Sequence, residues 1–400
     1  MNDKTSISRQ PKIPEAATRG AYSLGMKIYD NDWYLRFGLS YDDAAKILRD
    51  WGVTFVIAQC RLMPMPDSAV KSEVPPELAE RYAAYDDRKF RDALARSGIL
   101  YVPSCPMFFD PVALAADPSL AAIDASGRRM ERIDWYAGIP PTRRAHVAAK
   151  LRAIETAMRD LEPDGIHLGF MRWPGFWELW MPHHRRENFP EYSYDHETLQ
   201  RFQAETGTLL STLDPRAAAS FIAERANQIW VDWKCRVVVD VIREVRETAR
   251  RVRPDIQVVL NTVPFGRVDF DNAVEKVFGQ RFEALAEVVD VFEVMAYHQI
   301  LKRPPGWIPR IGEEVKARTG RTTVCTLQGV PLYLEGMHAK EKRARTLGAE
   351  EFGHATELVV RSGVDGTVFF IWTDFLRQVL DHGDSSRVDI IRSVAARRRP

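Results

Sequence analysis

Eight short apolar runs, each followed by a helix-like segment, constrain this chain more than any other feature. In order they are Ala21 to Ile28, Thr54 to Cys60, Leu100 to Ser104, Gly165 to Met171, Val258 to Val263, Val291 to Ala296, Thr323 to Leu327 and Gly366 to Ile371. Runs of this length, rich in β-branched residues and bounded by Gly or Pro, read as buried strands. Helical spacing lies between them. In Tyr41 to Trp51, Ala44, Ala45, Ile47 and Leu48 form one stripe behind the N-cap Ser40, and Gly52 ends the segment. Further helices are expected over Pro75 to Gly98, Thr142 to Leu161, His196 to Thr206, Pro215 to Arg253 in one or two pieces, Asn272 to Val288, Ile311 to Thr319 and Ala349 to Ser362. Such alternation implies right-handed crossovers and a parallel sheet. Eight units predict an α/β protein of the (β/α)₈ barrel kind. A doubly wound sheet competes, but no glycine-rich phosphate motif follows any strand.

Residues 20–395 read as a single barrel domain, behind a polar segment, residues 1–19, expected to be mobile. Two connections are long, Cys105 to Pro141 after strand three and Met181 to Pro215 after strand four, and long structured loops bind or cover ligands. The charge balance, 56 basic against 55 acidic residues, gives no field for a polyanion, so nucleic acid is not expected as a partner. Four scattered cysteines, Cys60, Cys105, Cys235 and Cys325, lack metal or disulfide spacing and fit reduced thiols. No apolar stretch reaches membrane-spanning length and the N-terminus has no signal-like apolar core, so the expectation is a cytoplasmic protein without a membrane partner.

The stretch DGIHLGFMRWPGFWELW, Asp164 to Trp180, holds the densest chemistry. A strand breaks at Pro174-Gly175 into a loop with Trp173, Trp177 and Trp180 around one carboxylate, Glu178. In a barrel, residues at the carboxyl ends of the strands converge on one face. That set comprises Asp30 and Asp32 after strand one, Gln59 and Arg61 at strand two, Asp110 beyond strand three, and Arg172 and Glu178 at and after strand four. Strands five to eight add Asn261, then Glu293, Tyr297 and His298, then Gln328, then Trp372 and Asp374. Aromatic rings that pack on sugar C–H faces, beside amides, carboxylates and a guanidinium that take hydroxyls, make a carbohydrate-type inventory. Each residue also has a plainer reading. A single Trp is more often core than platform. Glu293, a charge inside an apolar strand, requires a partner, and a structural ion pair with a residue such as Arg172 explains it as well as catalysis does. Asp374 reads first as the N-cap of the terminal helix. His298 is as readily a satisfied structural histidine as a proton carrier. His167, His183 and His184 lack partners at ligand spacing, so neither a metal nor any other cofactor is expected.

These motifs also resemble a family. DGIHLGFMRWP is similar to the strand-four signature of glycosyl-hydrolase-like (β/α)₈ proteins, close to D-G-[IV]-x-x-D-[FY]-x-R-[YFW]-P. The Tyr192 to Gly207 segment, the helix approaching strand five with its R-P-D, VMAYHQILKRPPGW and TLQGVP resemble the same group, over roughly residues 20–375. Gly169 stands where that pattern carries an aspartate. The resemblance implies a glycoside hydrolase acting on an oligosaccharide or small glycoside by carboxylate acid/base chemistry. With the strand-four acid missing, the expected catalytic pair becomes Glu178 as general acid, raised by apolar surroundings, and Glu293 as nucleophile or base. Asp30, Arg61, Arg172, Trp177, Asn261, Tyr297, His298, Gln328, Trp372 and Asp374 are the expected substrate-binding residues. A sugar-binding barrel without catalysis is the alternative. A sugar-acid lyase or isomerase with His298 as base ranks last.

Overall fold

The structure is a computed structural model that describes residues 12–13, 22–64 and 76–397. The expectation of a mobile segment over residues 1–19 falls, apart from residues 12 and 13, outside the described residues. Eight parallel strands close into a barrel in sequence order: β1 (Ser23–Ile28), β2 (Phe55–Ala58), β3 (Leu100–Pro106), β4 (Gly165–Gly169), β5 (Gln257–Thr262), β6 (Val291–Val294), β7 (Thr322–Gln328) and β8 (Gly366–Phe370). Closure comes from β1 pairing with β8, Ser23 opposite Gly366 and Met26 opposite Phe369. The (β/α)₈ expectation is therefore met, including the long connections after β3 and β4.

Alternation along each strand sorts the barrel interior into layers. The lower layer is apolar: Phe55, Ile57, Leu100, Val102, Val259, Val291, Val324 and Val368 pack together with Ile13. Ile13 is held beneath them by two hydrogen bonds with the Gln257 side chain, at 2.8 and 3.1 Å. Gly25 belongs to this level because the Phe55 ring fills it; a Cβ there would sit 2.4 Å from the ring. Two residues further along the strands the interior turns polar, with Lys27, Ser104, His167, Asn261, Glu293 and Thr326, all buried. The outer faces of the strands meet the surrounding helices in the main core.

Helix boundaries depart from the sequence reading where a cap or a close approach intervenes. The expected Pro75 to Gly98 helix is two, Pro76–Ala84 and Asp87–Arg96, because the Asp86 carboxylate accepts from the backbone N–H groups of Arg88 and Lys89 and starts a new helix. Asn272 to Val288 is reduced to Ala273–Lys276 and Phe282–Leu285. Between them Gly279, at φ +69°, lies under the Trp173 indole, where a Cβ would come within 2.7 Å of the ring. The long helix is interrupted by a π-helical turn, Ile222–Ala226, between Pro215–Phe221 and Asn227–Val252. Strand β4 stops at Gly169, two residues early, because Phe170 turns the chain with φ +54°. Asp374 is not an N-cap: it lies in the first turn of the helix Trp372–Leu380, capped by Ile371. No helix of the described residues is long and apolar enough to cross a membrane.

Candidate active site

A cavity of about 630 Å³ opens at the carboxyl ends of the strands. This is within the usual size of small-ligand sites and at the face where barrels of this kind carry out chemistry. Its floor includes Lys27, Tyr29, Gly169, Asn261 and Tyr297; its walls include Trp135, Trp177, Tyr333 and Phe370. Four carboxylates line it, Asp30, Asp32, Glu178 and Asp374, with Arg172 and Arg377.

Below the floor, Glu293 is fully enclosed and fully paired. Its Oε1 lies 3.0 Å from Lys27 Nζ and accepts from the Thr326 hydroxyl; its Oε2 accepts from Asn261 Nδ2 and, at 3.2 Å, from His167 Nε2. Ser104 Oγ is 2.8 Å from His167 Nδ1. Assigned from this network, His167 is the neutral tautomer with its proton on Nε2, and Ser104 donates to Nδ1. Burial alone would raise the Glu293 carboxyl, but Lys27 and His167 reverse that and hold it down at about 2. Lys27 answers in kind: burial would lower it, yet Glu293 raises it above the ordinary lysine value. The expected ion pair of Glu293 exists, but with Lys27, not Arg172.

Glu178 has the opposite surroundings. It lies in the 3₁₀ turn Trp177–Leu179 of the loop after β4, is 5% exposed, and its Oε2 has no hydrogen-bond partner. Burial pushes its carboxyl up to about 7, against the pull of Arg172. The turn is clamped from outside by Arg343, whose guanidinium donates to the Glu178 carbonyl at 2.5 Å, to the Ile300 carbonyl at 2.6 Å and to the Tyr333 carbonyl at 3.0 Å. Three loops are thereby tied at one point. The long connection after β3 closes over them, with Trp135 Nε1 donating to Tyr333 Oη at 3.0 Å.

Across the mouth, at β1 and β8, Asp30 accepts from the Thr373 hydroxyl and from the Asp32 backbone N–H at 3.0 Å. Burial raises its carboxyl to about 6, with the Thr373 bond opposing. Asp374 is likewise raised by burial.

Of the expected site residues, the fold brings Asp30, Arg172, Trp177, Glu178, Asn261, Tyr297 and Asp374 to one cavity. Five others do not line it. Glu293 sits beneath the floor, so it has no surface from which to attack a substrate. Arg61 is turned outward to the Tyr85 carbonyl at 2.8 Å. His298 pairs with Glu351 at 3.0 Å on the helix shell, which removes it as a base for a lyase or isomerase. Gln328 donates to Gln299 Oε1 and to the Val330 carbonyl, both at 2.8 Å, and organises a loop. Trp372 is core, its ring 5.8 Å from that of Trp33. Outside those twelve, Asp110 of the wider strand-end set is also away from the cavity, capping the helix Pro111–Ala116 and pairing with Lys150 at 2.8 Å. Sequence reasoning missed Lys27, Tyr29, Ser104 and Thr326. The signal was available as period-two counting up each strand from its apolar lower residue.

Two further differences arise from tertiary proximity. Gly169 lines the cavity, and a Cβ there would meet only ordinary contacts, the nearest Ser104 Oγ at 3.7 Å. His183 and His184 acquire a carboxylate neighbour after all, since Glu341 brings the ligand atoms of all three within 4.8 Å of one another. His184 Nδ1 is already engaged, 3.1 Å from the Leu179 carbonyl and 3.3 Å from the Met181 N–H.

The same barrel is found in solved glycoside hydrolases. The glycoside hydrolase domain of PgaB (BpsB) from Bordetella bronchiseptica aligns with a TM-score of 0.62 at 15% identity, over 94% of this chain and 99% of that one. A β-galactosidase from the psychrophilic Marinomonas ef1 gives 0.62 at 12% identity, over 94% of this chain and 59% of its own. The α-L-fucosidase isoenzyme 2 of Paenibacillus thiaminolyticus gives 0.57 at 13%, over 94% of this chain and 49% of its own. This chain thus spans only about half of the latter two. At such identities the likeness is one of fold, a glycosyl-hydrolase-like barrel. No family model matches the chain, and no curated protein matches it in sequence.

Proposed function

We propose that this protein is a glycoside hydrolase in which Glu178 is the general acid and Asp30, on the opposite side of the mouth, is the partner carboxylate. The observation that carries this reading is the protonatable Glu178, raised to about 7 on an aromatic wall of the cavity. A glycosidic oxygen leaves as a neutral hydroxyl only if it takes a proton as the C–O bond breaks, and an acid that keeps its proton near neutrality supplies it. Asp30, raised only to about 6, is ionised while Glu178 is still protonated. Its oxygens then either deprotonate a water that attacks the anomeric carbon or attack that carbon directly, according to whether the two carboxyls stand about 6.5–9.5 Å or about 5 Å apart around the bond. Asn261, Tyr297 and Asp374 supply hydroxyl partners, and Trp177 and Trp135 supply ring faces.

The test is turnover of a glycoside panel by the parent, Glu178→Gln and Asp30→Asn, with the anomer of the first product read by NMR. Loss of turnover in both variants with binding retained is expected; retention of turnover in both removes the assignment.

A second reading, a barrel that binds sugar without cleaving it, is favoured by one feature: Gly169 occupies the place of the acid in the resembling strand-four pattern. Calorimetric binding of an oligosaccharide that stays intact over days supports it, and release of reducing ends excludes it.

A further inference from the structure

Arg172 is the one cation lining the cavity that has no anion of its own among the described residues. It is 2% exposed, and its guanidinium lies over the rings of Phe170, Tyr136 and Phe278, at 5.2, 5.8 and 5.9 Å from their centroids. Its Nε has no hydrogen-bond partner, and it enters no ion pair among the described residues. The other two cations are matched: Lys27 faces Glu293, and Arg377 lies 3.8 Å from Asp32 and 3.7 Å from Asp374. The carboxylate nearest in electrostatic effect, Glu178, is not bonded to Arg172 and keeps its proton up to about neutrality. Two more buried polar atoms of the same loop, Trp177 Nε1 and Glu178 Oε2, are also without partners. A guanidinium does not neutralise itself by losing a proton, so burying it without a counter-charge is costly unless a ligand brings one.

Resting on the reading of this cavity as a sugar site, we propose that Arg172 seats a substrate carboxylate and that the protein acts on oligosaccharides containing uronic acid. A carboxylate presents two oxygens in the plane and spacing of the guanidinium fork, and the surrounding rings exclude water from the pair. The seated anion also acts on the neighbouring acid. It cancels the pull by which Arg172 favours ionised Glu178, so the proton stays on Glu178 when an acidic substrate is bound and the same ligand that fills the subsite arms the acid.

The experiment is calorimetry on the full chain with trimers of galacturonate, glucuronate and mannuronate, the same trimers after reduction of each carboxyl to a hydroxymethyl group, and sulfated neutral trimers. At least one uronate trimer is expected to bind about 10-fold or more tighter than its reduced counterpart, with a preference that shrinks as salt rises. Arg172→Met should remove that preference while Arg172→Lys keeps part of it. The parent's own comparison of uronate with reduced trimer decides the matter even if Arg172→Met fails to fold. Equal or tighter binding of the reduced trimers overturns the acidic-sugar proposal and leaves the glycoside reading standing. Tighter binding of sulfated than of uronate trimers overturns the carboxylate. Failure of every trimer to bind overturns both.

Discussion

Glu178 and Glu293 are the same side chain, both enclosed in the same barrel, and their environments drive them to opposite ends of the carboxylate range. Glu293 is surrounded by Lys27, His167, Asn261 and Thr326 and is held at about 2; Glu178 has an unpartnered oxygen and is raised to about 7. Burial with partners makes a permanent charge that holds structure. Burial without them makes a proton that can be given away. Burial alone, which is all that an acid in an apolar stretch signals, does not separate the two.

The largest expected effect, and the hardest test of this contrast, is on turnover. Glu178→Gln should lower kcat by about 10²–10⁴-fold, the usual contribution of a general acid, with binding little changed. The parent should show a bell-shaped rate profile, rising as Asp30 ionises through about 6 and falling as Glu178 ionises through about 7. A flat profile across that interval breaks the assignment.

Next in size is stability at the barrel axis. Glu293→Gln leaves Lys27 buried beside a neutral amide and should cost about 3–5 kcal/mol in chemical denaturation. Adding Lys27→Met should recover a substantial part, since the two sites share one interaction. A Glu293 variant of unchanged stability that has lost turnover would instead assign that residue to the chemistry. Because the folded-state value is depressed, the stabilisation from Glu293 is present above the ordinary value of 4.5 and is lost as pH falls through about 2.

The sign reverses for Glu178. A raised folded-state value favours the fold fully below 4.5, and that advantage is lost as pH rises through about 7. Glu178→Gln should therefore match the parent near pH 4 and exceed it by about 3 kcal/mol at pH 8, from the 1.36 kcal/mol carried by each pKa unit. Melting curves at the two pH values check this. Equal stability at both would mean that Glu178 is paired in solution.

The smallest effect is at Gly169. Its φ is not in the left-handed region and a Cβ finds ordinary contacts, so Gly169→Ala should change stability by less than about 1 kcal/mol. Gly169→Asp is the informative companion. If it raises turnover well above the parent, the acid opposing Glu178 belongs on strand four and not at Asp30.

Much of the molecule was legible from residue order. The eight strand runs, the long loops after β3 and β4 and the Trp-rich turn around Glu178 stand where pattern placed them, because strand burial and helical spacing are local, periodic properties. Seven of the twelve expected site residues reached the cavity. Four of the remaining five share a placement. Arg61, His298, Gln328 and Trp372 stand at or just past the end of a strand, where the following turn or helix takes over from strand alternation, and each makes its contacts outside the mouth. Lys27 and Thr326 were overlooked inside apolar strands, although they share the inward face that carries Glu293.

By itself, the sequence determined the barrel, its order and the loop that holds Glu178, since these follow from periodicity, breakers and length. Only the tertiary structure decided which buried acid has a counter-charge. Lys27, His167 and Glu293 come from strands far apart in the chain, and their pairing follows from closure of the barrel. The same closure leaves Arg172 and Glu178 facing the cavity without ion-pair partners. Charges are matched or left unmatched by distances in space, which no local pattern encodes.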